Sequence, residues 1–166
     1  MSDLTLVLVP QQPADQAAIE KLDERVFGPG RFARSAYRLR EGVAADLSLS
    51  YVARVGRLLV GANRMTHISC AGKPALLLGP LSVEPAFRSA GIGEALVMKS
   101  LEAARAAGHR LVLLVGDMAY YGKMGFEPVP DGRLLFPGPV DPERLLYCAL
   151  TKGALDGVKG RVTRVV

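Results

Sequence analysis

Gly91 and Gly93 stand at the start of a helical pattern, within the run Arg88-Ser89-Ala90-Gly91-Ile92-Gly93. These residue types in this order predict an anion site. Lacking Cβ atoms, the glycines let backbone N–H groups approach a charged ligand closely. A helix start adds unpaired donors and a partial positive charge. Arg88 brings a full charge to the loop's entrance. Other glycine-rich cradles fit less well. Counted from Gly91, the third glycine of G-x-G-x-x-G falls on Leu96, and the chain has no Gly-Lys-Ser or Gly-Lys-Thr for a Walker loop. For a bare G-x-G the alternative is a plain turn into a helix; Arg88 and the preceding strand weigh against it.

That strand, 75–83, carries Gly79-Pro80 inside an apolar run. Proline cannot donate to a ladder and glycine weakens one. The strand is therefore expected to part from a neighbour near residue 80. Backbone groups at Leu81, Ser82 and Val83 would then be free to pair with an extended, amide-bearing ligand. An ordinary edge strand with a bulge is the alternative. Further on, Asp117 is an N-cap candidate for a short helix with two tyrosines, Tyr120 and Tyr121, ending at Gly125. Read alone, such tyrosines describe packing at the edge of a core.

The elements that must position these residues follow from periodicity. Residues 4–9 read as a strand. Pro13 precedes Ala17, Ala18, Ile19, Leu22 and Val26, a helical pattern stopped by Gly28-Pro29-Gly30. The Arg-rich stretch 32–40 suits a second short helix. Residues 48–55 and 58–70 are β-rich and separated only by Gly56-Arg57, a hairpin signal. Residues 71–74 read as the next turn, giving an antiparallel meander through 83. Across 92–107, Ile92, Leu96 and Ala103 share one side, with Val97, Leu101 and Ala104 beside them. Gly108 is a natural helix stop. The continuously apolar 111–115 suits a strand covered on both faces, reached by a right-handed parallel crossover. A late strand spans 145–151. The tail 151–166, with Lys152, Lys159, Arg161 and Arg164, is either an extra strand or a solvated end. The fold class is α/β: a mixed central sheet, antiparallel first and with a parallel pair in the middle, flanked by helices.

At 166 residues, with 49% hydrophobic and 22% charged residues, the chain suits one globular domain, 1–166, and not a disordered or membrane class. No run approaches the ~20 apolar residues of a membrane span. Met1-Ser2-Asp3 carries no basic n-region, so the expected location is cytoplasmic. The net charge of +5 suits a polyanion. A phosphate-bearing ligand, nucleic acid or simply an Arg-rich surface could account for it. Nucleic acid is disfavoured, because no run of five like charges occurs and few aromatics are interleaved with the basic residues. Cys70 and Cys148 stand far apart and read as buried free thiols. His67 and His109 are the only histidines and show no ligand spacing, so no metal site is expected.

Leu81-Ser82-Val83-Glu84-Pro85 followed by Arg88-Ser89-Ala90-Gly91-Ile92-Gly93 resembles the acetyl-CoA-binding motif of the GNAT superfamily, written Q/R-x-x-G-x-G/A. Tyr120-Tyr121-Gly122-Lys123-Met124-Gly125-Phe126 is similar to that superfamily's later Tyr-x-x-x-Gly-Phe element. The two occur in the family's order, separated by a helix and a strand, and the resemblance covers roughly residues 75–130. Gly-Pro before Leu81 and the doubled tyrosine resemble a bacterial subgroup of predicted N-acetyltransferases.

The resemblance implies that strand 81–83 splays from 111–115 and that coenzyme A fills the V. Leu81, Ser82 and Val83 would hold pantetheine by their backbones. Arg88 and the amides of Ser89, Ala90, Gly91, Ile92, Gly93 and Glu94 would hold the pyrophosphate. Tyr121 matches the tyrosine that protonates the leaving thiolate. Lys123 would reach the cofactor's phosphates or stand in solvent. The implied activity is transfer of an acetyl or other acyl group from acetyl-CoA to a primary amine, without a metal; a non-catalytic acyl-CoA sensor is the alternative. Family members often dimerise, so a homodimer is also implied. Some relatives place a glutamate base on the strand before the loop, but 75–82 contains no carboxylate. Glu84 is expected to be solvated. The base is left open between water, a residue near Asp46, and no dedicated group. The acceptor pocket should draw on 28–46 and 134–144, which carry no recognisable signature.

Overall fold

The structure is a computed structural model that describes residues 5–165. Met1-Ser2-Asp3 and Leu4, on which the leader reading and the start of the first strand rest, lie outside the described residues. No helix among the described residues is long and apolar enough to cross a membrane.

The chain opens with strand β1 (Leu6–Pro10) and reaches helix α1 (Gln16–Phe27) through a 3₁₀ turn at Pro13–Asp15. Proline starts that turn, and the Asp15 carboxylate accepts the Gln12 N–H at 2.8 Å. Gly28, at φ 69°, ends α1. After a second 3₁₀ turn comes α2 (Ser35–Arg40), then the strands β2 (Tyr51–Val55), β3 (Leu58–Cys70) and β4 (Lys73–Val83). Helix α3 (Ile92–Ala106) crosses to β5 (Leu111–Val115), and a short α4 (Met118–Tyr121) follows. The remaining strands are β6 (Glu127–Pro128), β7 (Leu134–Leu135), β8 (Leu145–Ala149) and β9 (Gly160–Arg164).

The strands form one mixed sheet in the order β1-β2-β3-β4-β5-β8-β6, with β9 pairing both β3 and β7. Its antiparallel first half and its parallel β4–β5 pair match the expected fold class. Side-chain alternation along each strand sends successive residues to opposite faces, and two helices cover them. Ile19 and Leu22 of α1 pack on Val52, Leu59 and Ala62. Ile92 and Leu96 of α3 pack on Ala53 and Val60, the opposite face. Further along that second face, Val97 and Leu101 meet Met65, Leu76, Val112 and Phe126. Asn63 donates from β3 to Ser100 of α3 at 3.0 Å, pinning the helix to the sheet.

One turn is shorter than in the sequence reading, and the tail takes one of the two forms left open for it. The turn after β3 is only Ala71-Gly72, both at positive φ, and Lys73 and Pro74 already belong to β4. The reason is register: β3 runs on to Cys70, which pairs with Lys73, so a two-residue turn suffices. The tail is a strand, because β3 outruns β2 and leaves Ile68, Ser69 and Cys70 an edge that β9 pairs. Cys70 and Cys148 are buried free thiols, as expected.

Candidate active site

β4 and β5 are in register at only two positions, Leu76 with Val112 and Leu77 with Leu113. Beyond them the strands part. Each keeps its outer partner: β4 pairs with β3 as far as Val83 opposite Gly61, and β5 pairs with β8 over its whole length. The parting coincides with a bulge. Asn63 faces Leu81 and Met65 faces Leu78, so Arg64 alone opposes Gly79 and Pro80. The expectation of parting near residue 80 therefore holds.

The N–H of Glu84 donates to Val60 of β3 at 2.8 Å. Backbone N–H groups alternate between the two edges of a strand. The N–H of Ser82 thus also points to β3, while those of Leu81 and Val83 point into the gap. At the gap's end the chain turns through Pro85–Phe87 into the loop before α3. Gly91 is the α3 N-cap at φ 75°, and a Cβ there would meet nothing within 4 Å. Ser89 shares the left-handed region at φ 73°. The loop is exposed from Arg88 to Gly91, as an anion site requires. Gly93 lies so close to the Tyr120 hydroxyl that a Cβ would collide with it.

Tyr121 sits across the gap. A Cβ on Gly116 would meet its Cε2 at 2.5 Å, and its ring contacts those of Tyr120 and Phe126 at centroid separations of 4.9 and 5.8 Å. Burial, reinforced by Tyr120 and opposed by Arg144, pushes its pKa up to about 12. Tyr121 therefore keeps its proton at neutral pH. The parted strands, the loop and both tyrosines line one continuous cleft of about 1180 Å³. That is larger than the ~300–1000 Å³ typical of one small-ligand site, and leaves room for two substrates. Of the residues singled out from sequence, Leu81, Val83, Arg88, Ser89, Gly91, Ile92, Gly93, Glu94 and Tyr121 line this cleft together. Ser82 is buried behind it, Ala90 is exposed on the loop, and Lys123 is exposed on the turn after α4; these three do not line it.

The carboxylates are arranged differently from the sequence reading. Glu84 is not simply solvated: it forms an ion pair with Arg25 of α1 at 2.6 Å. Asp46 does not line the cleft, and it is engaged elsewhere. Burial alone would raise its pKa, but hydrogen bonds from Ser48 and His67 outweigh burial and lower it. His67 Nε2 lies 2.7 Å from its Oδ2. The fold also brings His109 to the same place, with one ligand atom from each of Asp46, His67 and His109 within 4.8 Å of the others. The histidines thus do have a carboxylate beside them, a proximity made by strand β3 and the segments carrying Asp46 and His109, and invisible in their spacing.

Asp23 of α1 does line the cleft, as do Glu20, Glu94, Asp117 and Asp141. Asp23 accepts a hydrogen bond from the Ser82 hydroxyl. Burial raises its pKa, opposed by Ser82 and by Arg31, Arg40 and Arg64. Sequence reasoning missed it, although a signal existed: Asp23 lies four residues after Ile19 and three before Val26, within the apolar stripe of α1.

The parted strands, the glycine-capped start of α3 and the protonated Tyr121 across the gap thus form one cleft. The family described as acetyltransferase (GNAT) domain matches residues 46–128, and the chain belongs to that acetyltransferase family. It is 31% identical over 140 residues to the uncharacterized N-acetyltransferase YjhQ of Escherichia coli K12, covering 81% of this chain and 77% of that one. It is 28% identical over 152 residues to YhbS, another uncharacterized N-acetyltransferase of that strain, covering 90% of each. The E. coli YhbS structure in complex with CoA superposes with a TM-score of 0.82 at 26% identity, covering 99% of this chain and 92% of that one. A GNAT acetyltransferase of Brucella melitensis in complex with acetyl-CoA gives 0.65 at 28% identity, covering 93% and 100%.

Proposed function

We propose that the chain, acting as one catalytic unit, moves the acetyl group of acetyl-CoA to a primary amine by direct attack of the amine on the thioester. The observation that carries this reading is the gap between β4 and β5, with the Leu81 and Val83 N–H groups on its wall and the start of α3 at its end. The residues present fit the donor. Two N–H groups spaced two residues apart suit the amides of pantetheine. The loop from Arg88 to Glu94 offers the backbone donors, helix dipole and positive charge that a pyrophosphate needs.

The amine must be neutral to attack, and at a lysine-like pKa of ~10.4 less than about 1% is neutral at pH 7. A base is therefore valuable. Asp23 is a half-buried cleft carboxylate that accepts from the Ser82 hydroxyl, and burial moves its pKa upward, toward the range where a base works well. The nitrogen forms its bond to the thioester carbon, and its surplus proton passes to Asp23, directly or through water. The carbon–sulfur bond then breaks, and Tyr121 gives its proton to the departing thiolate. The products are an amide and the free thiol; solvent then takes the proton from Asp23 and returns one to Tyr121. A covalent detour through cysteine has no support. Burial pushes the Cys70 thiol up to about 11 and raises that of Cys148, and neither lines the cleft.

The test combines acetyl-CoA calorimetry with thiol release across a panel of amines, on wild type and Tyr121→Phe. The expected result is saturable binding by both proteins, with kcat about 100-fold lower in the variant. No acetyl-CoA binding by the wild type overturns the reading, and so does equal turnover by the two proteins.

A further inference from the structure

Besides Arg88 and Arg144, four more arginines line the cleft. Arg31, Arg34, Arg40 and Arg64 line it against the carboxylates of Asp23 and Glu20. Three of these arginines are engaged locally. Arg31 donates to the Gly28 carbonyl at 2.9 Å. Arg34 lies 5.3 Å from the centroid of the Phe27 ring. Arg64 donates to Thr66 at 3.0 Å and to the Val43 carbonyl.

Arg40 differs. It ends α2 and is partly buried, and its side chain makes no hydrogen bond or ion pair with any described residue, although its carbonyl accepts from Val43 at 3.0 Å. Buried polar groups normally have partners, and a guanidinium has five donors to satisfy. Asp23 favours its charge, but burial and Arg64 weigh more and pull its pKa down to about 10. Asp23 offsets only part of that cost, and the guanidinium's donors are left without a protein acceptor among the described residues.

The location says what would answer it. Arg40 Nη1 lies 3.8 Å from the position a Gly79 Cβ would occupy, and the Leu81 amide nitrogen lies 3.9 Å from the same point. The missing side chain leaves open space between two donors. Gly79 is four residues upstream of Val83, about 13 Å along an extended strand, and the anion loop is further still. The donor's phosphates belong at that far end, so Arg40 faces the acyl end, where the acceptor must arrive.

We propose that Arg40 binds an oxyanion, carboxylate or phosphate, carried by the amine acceptor itself. The assignment of this place to the acceptor rests on the acetyl-transfer reading. A guanidinium grips either oxyanion with two parallel N–H groups. Arg64, held by Thr66 and Val43, supports the field from behind. Asp23, on the same face, takes the amine end. The acceptor class is thus an amine that also bears a negative group, such as an amino acid or an aminoalkyl phosphate.

The test uses protein saturated with CoA, so that the donor's phosphates already fill their own sites. β-Alanine and phosphoethanolamine, with propylamine and ethanolamine as neutral counterparts, are titrated calorimetrically into wild type, Arg40→Gln and Arg40→Lys. The expected result is binding of the anionic amines only, weakened about tenfold or more by Arg40→Gln and partly retained by Arg40→Lys. CoA affinity should be unchanged in both variants, which also reports that they fold. Which of the two probes binds better distinguishes carboxylate from phosphate. Equal binding of charged and neutral amines overturns the proposal, as does anion binding that ignores Arg40→Gln. Loss of CoA affinity in Arg40→Gln overturns it too, because Arg40 would then serve the donor. If wild type binds no CoA, the acetyl-transfer reading is what fails, and the Arg40→Gln comparison without CoA still decides whether Arg40 holds an anion.

Discussion

The two halves of the cleft are made of different material. On the proposed reading the donor half is backbone: the N–H groups of Leu81 and Val83, the loop from Arg88, and the first turn of α3, all from one continuous stretch. The proposed acceptor half is side chain: Asp23 from α1, Arg40 from α2 and Arg64 from β3, gathered from distant segments. A ligand held by groups that every residue possesses constrains only conformation, hence glycine at Gly91 and proline beside the bulge. A ligand held by side chains constrains their identity and leaves the backbone free. The first half can be common to a family while the second belongs to the individual.

The comparison breaks most readily at Gly91. Gly91→Glu puts a side chain at φ 75° and a carboxylate beside the bound phosphates. Acetyl-CoA affinity should fall about 1000-fold, roughly 4 kcal/mol. The melting temperature should respond far less, because a Cβ there meets nothing within 4 Å. An affinity within tenfold of wild type, by calorimetry, would move the donor off this loop.

The next effect separates the halves. Asp23→Asn should lower kcat/KM about tenfold to 100-fold while leaving acetyl-CoA affinity alone. Asp23 works as the anion, so wild-type activity should climb as pH rises through its pKa, which burial lifts above the ordinary aspartate value. That acid limb should vanish from the pH profile of the variant; its persistence would clear Asp23 of the role.

The smallest effect sits at Glu84, beside the donor strand. Glu84→Gln breaks the pair with Arg25, whose side chain is 49% exposed. Stability in urea should drop by less than ~1 kcal/mol, with turnover unchanged. A turnover loss of tenfold or more would return the base to the donor half.

The same division explains what the sequence could tell. Gly91, Gly93 and the helix from Ile92 announce themselves locally, through spacing and a 3.6-residue period. Gly79-Pro80 announces the parting because neither residue supports a ladder. Asp23, Arg40 and Arg64 meet only when α1, α2 and β3 are in place, and no local pattern joins them. The stripe position of Asp23 is a hint in hindsight. The Asp46, His67 and His109 cluster likewise forms only when two loops meet strand β3. The tail could not be decided locally either, since β9 exists only because β3 offers it an edge.

The parted strands also bear on how this chain behaves among copies of itself. An open sheet edge invites pairing with a neighbouring molecule, and proteins usually blunt such edges with charge, proline or a covering element. Here the two inner edges face each other across a gap, while β3 and β8 occupy the outer ones. Helix α3 lies on one face, and α1 with the segment after it lies on the other. A strand from another chain has no straight path to the free N–H groups. The fold keeps unspent backbone hydrogen bonds available to a slender molecule while denying them to a polypeptide, so its binding slot carries little of the hazard of edge-to-edge aggregation.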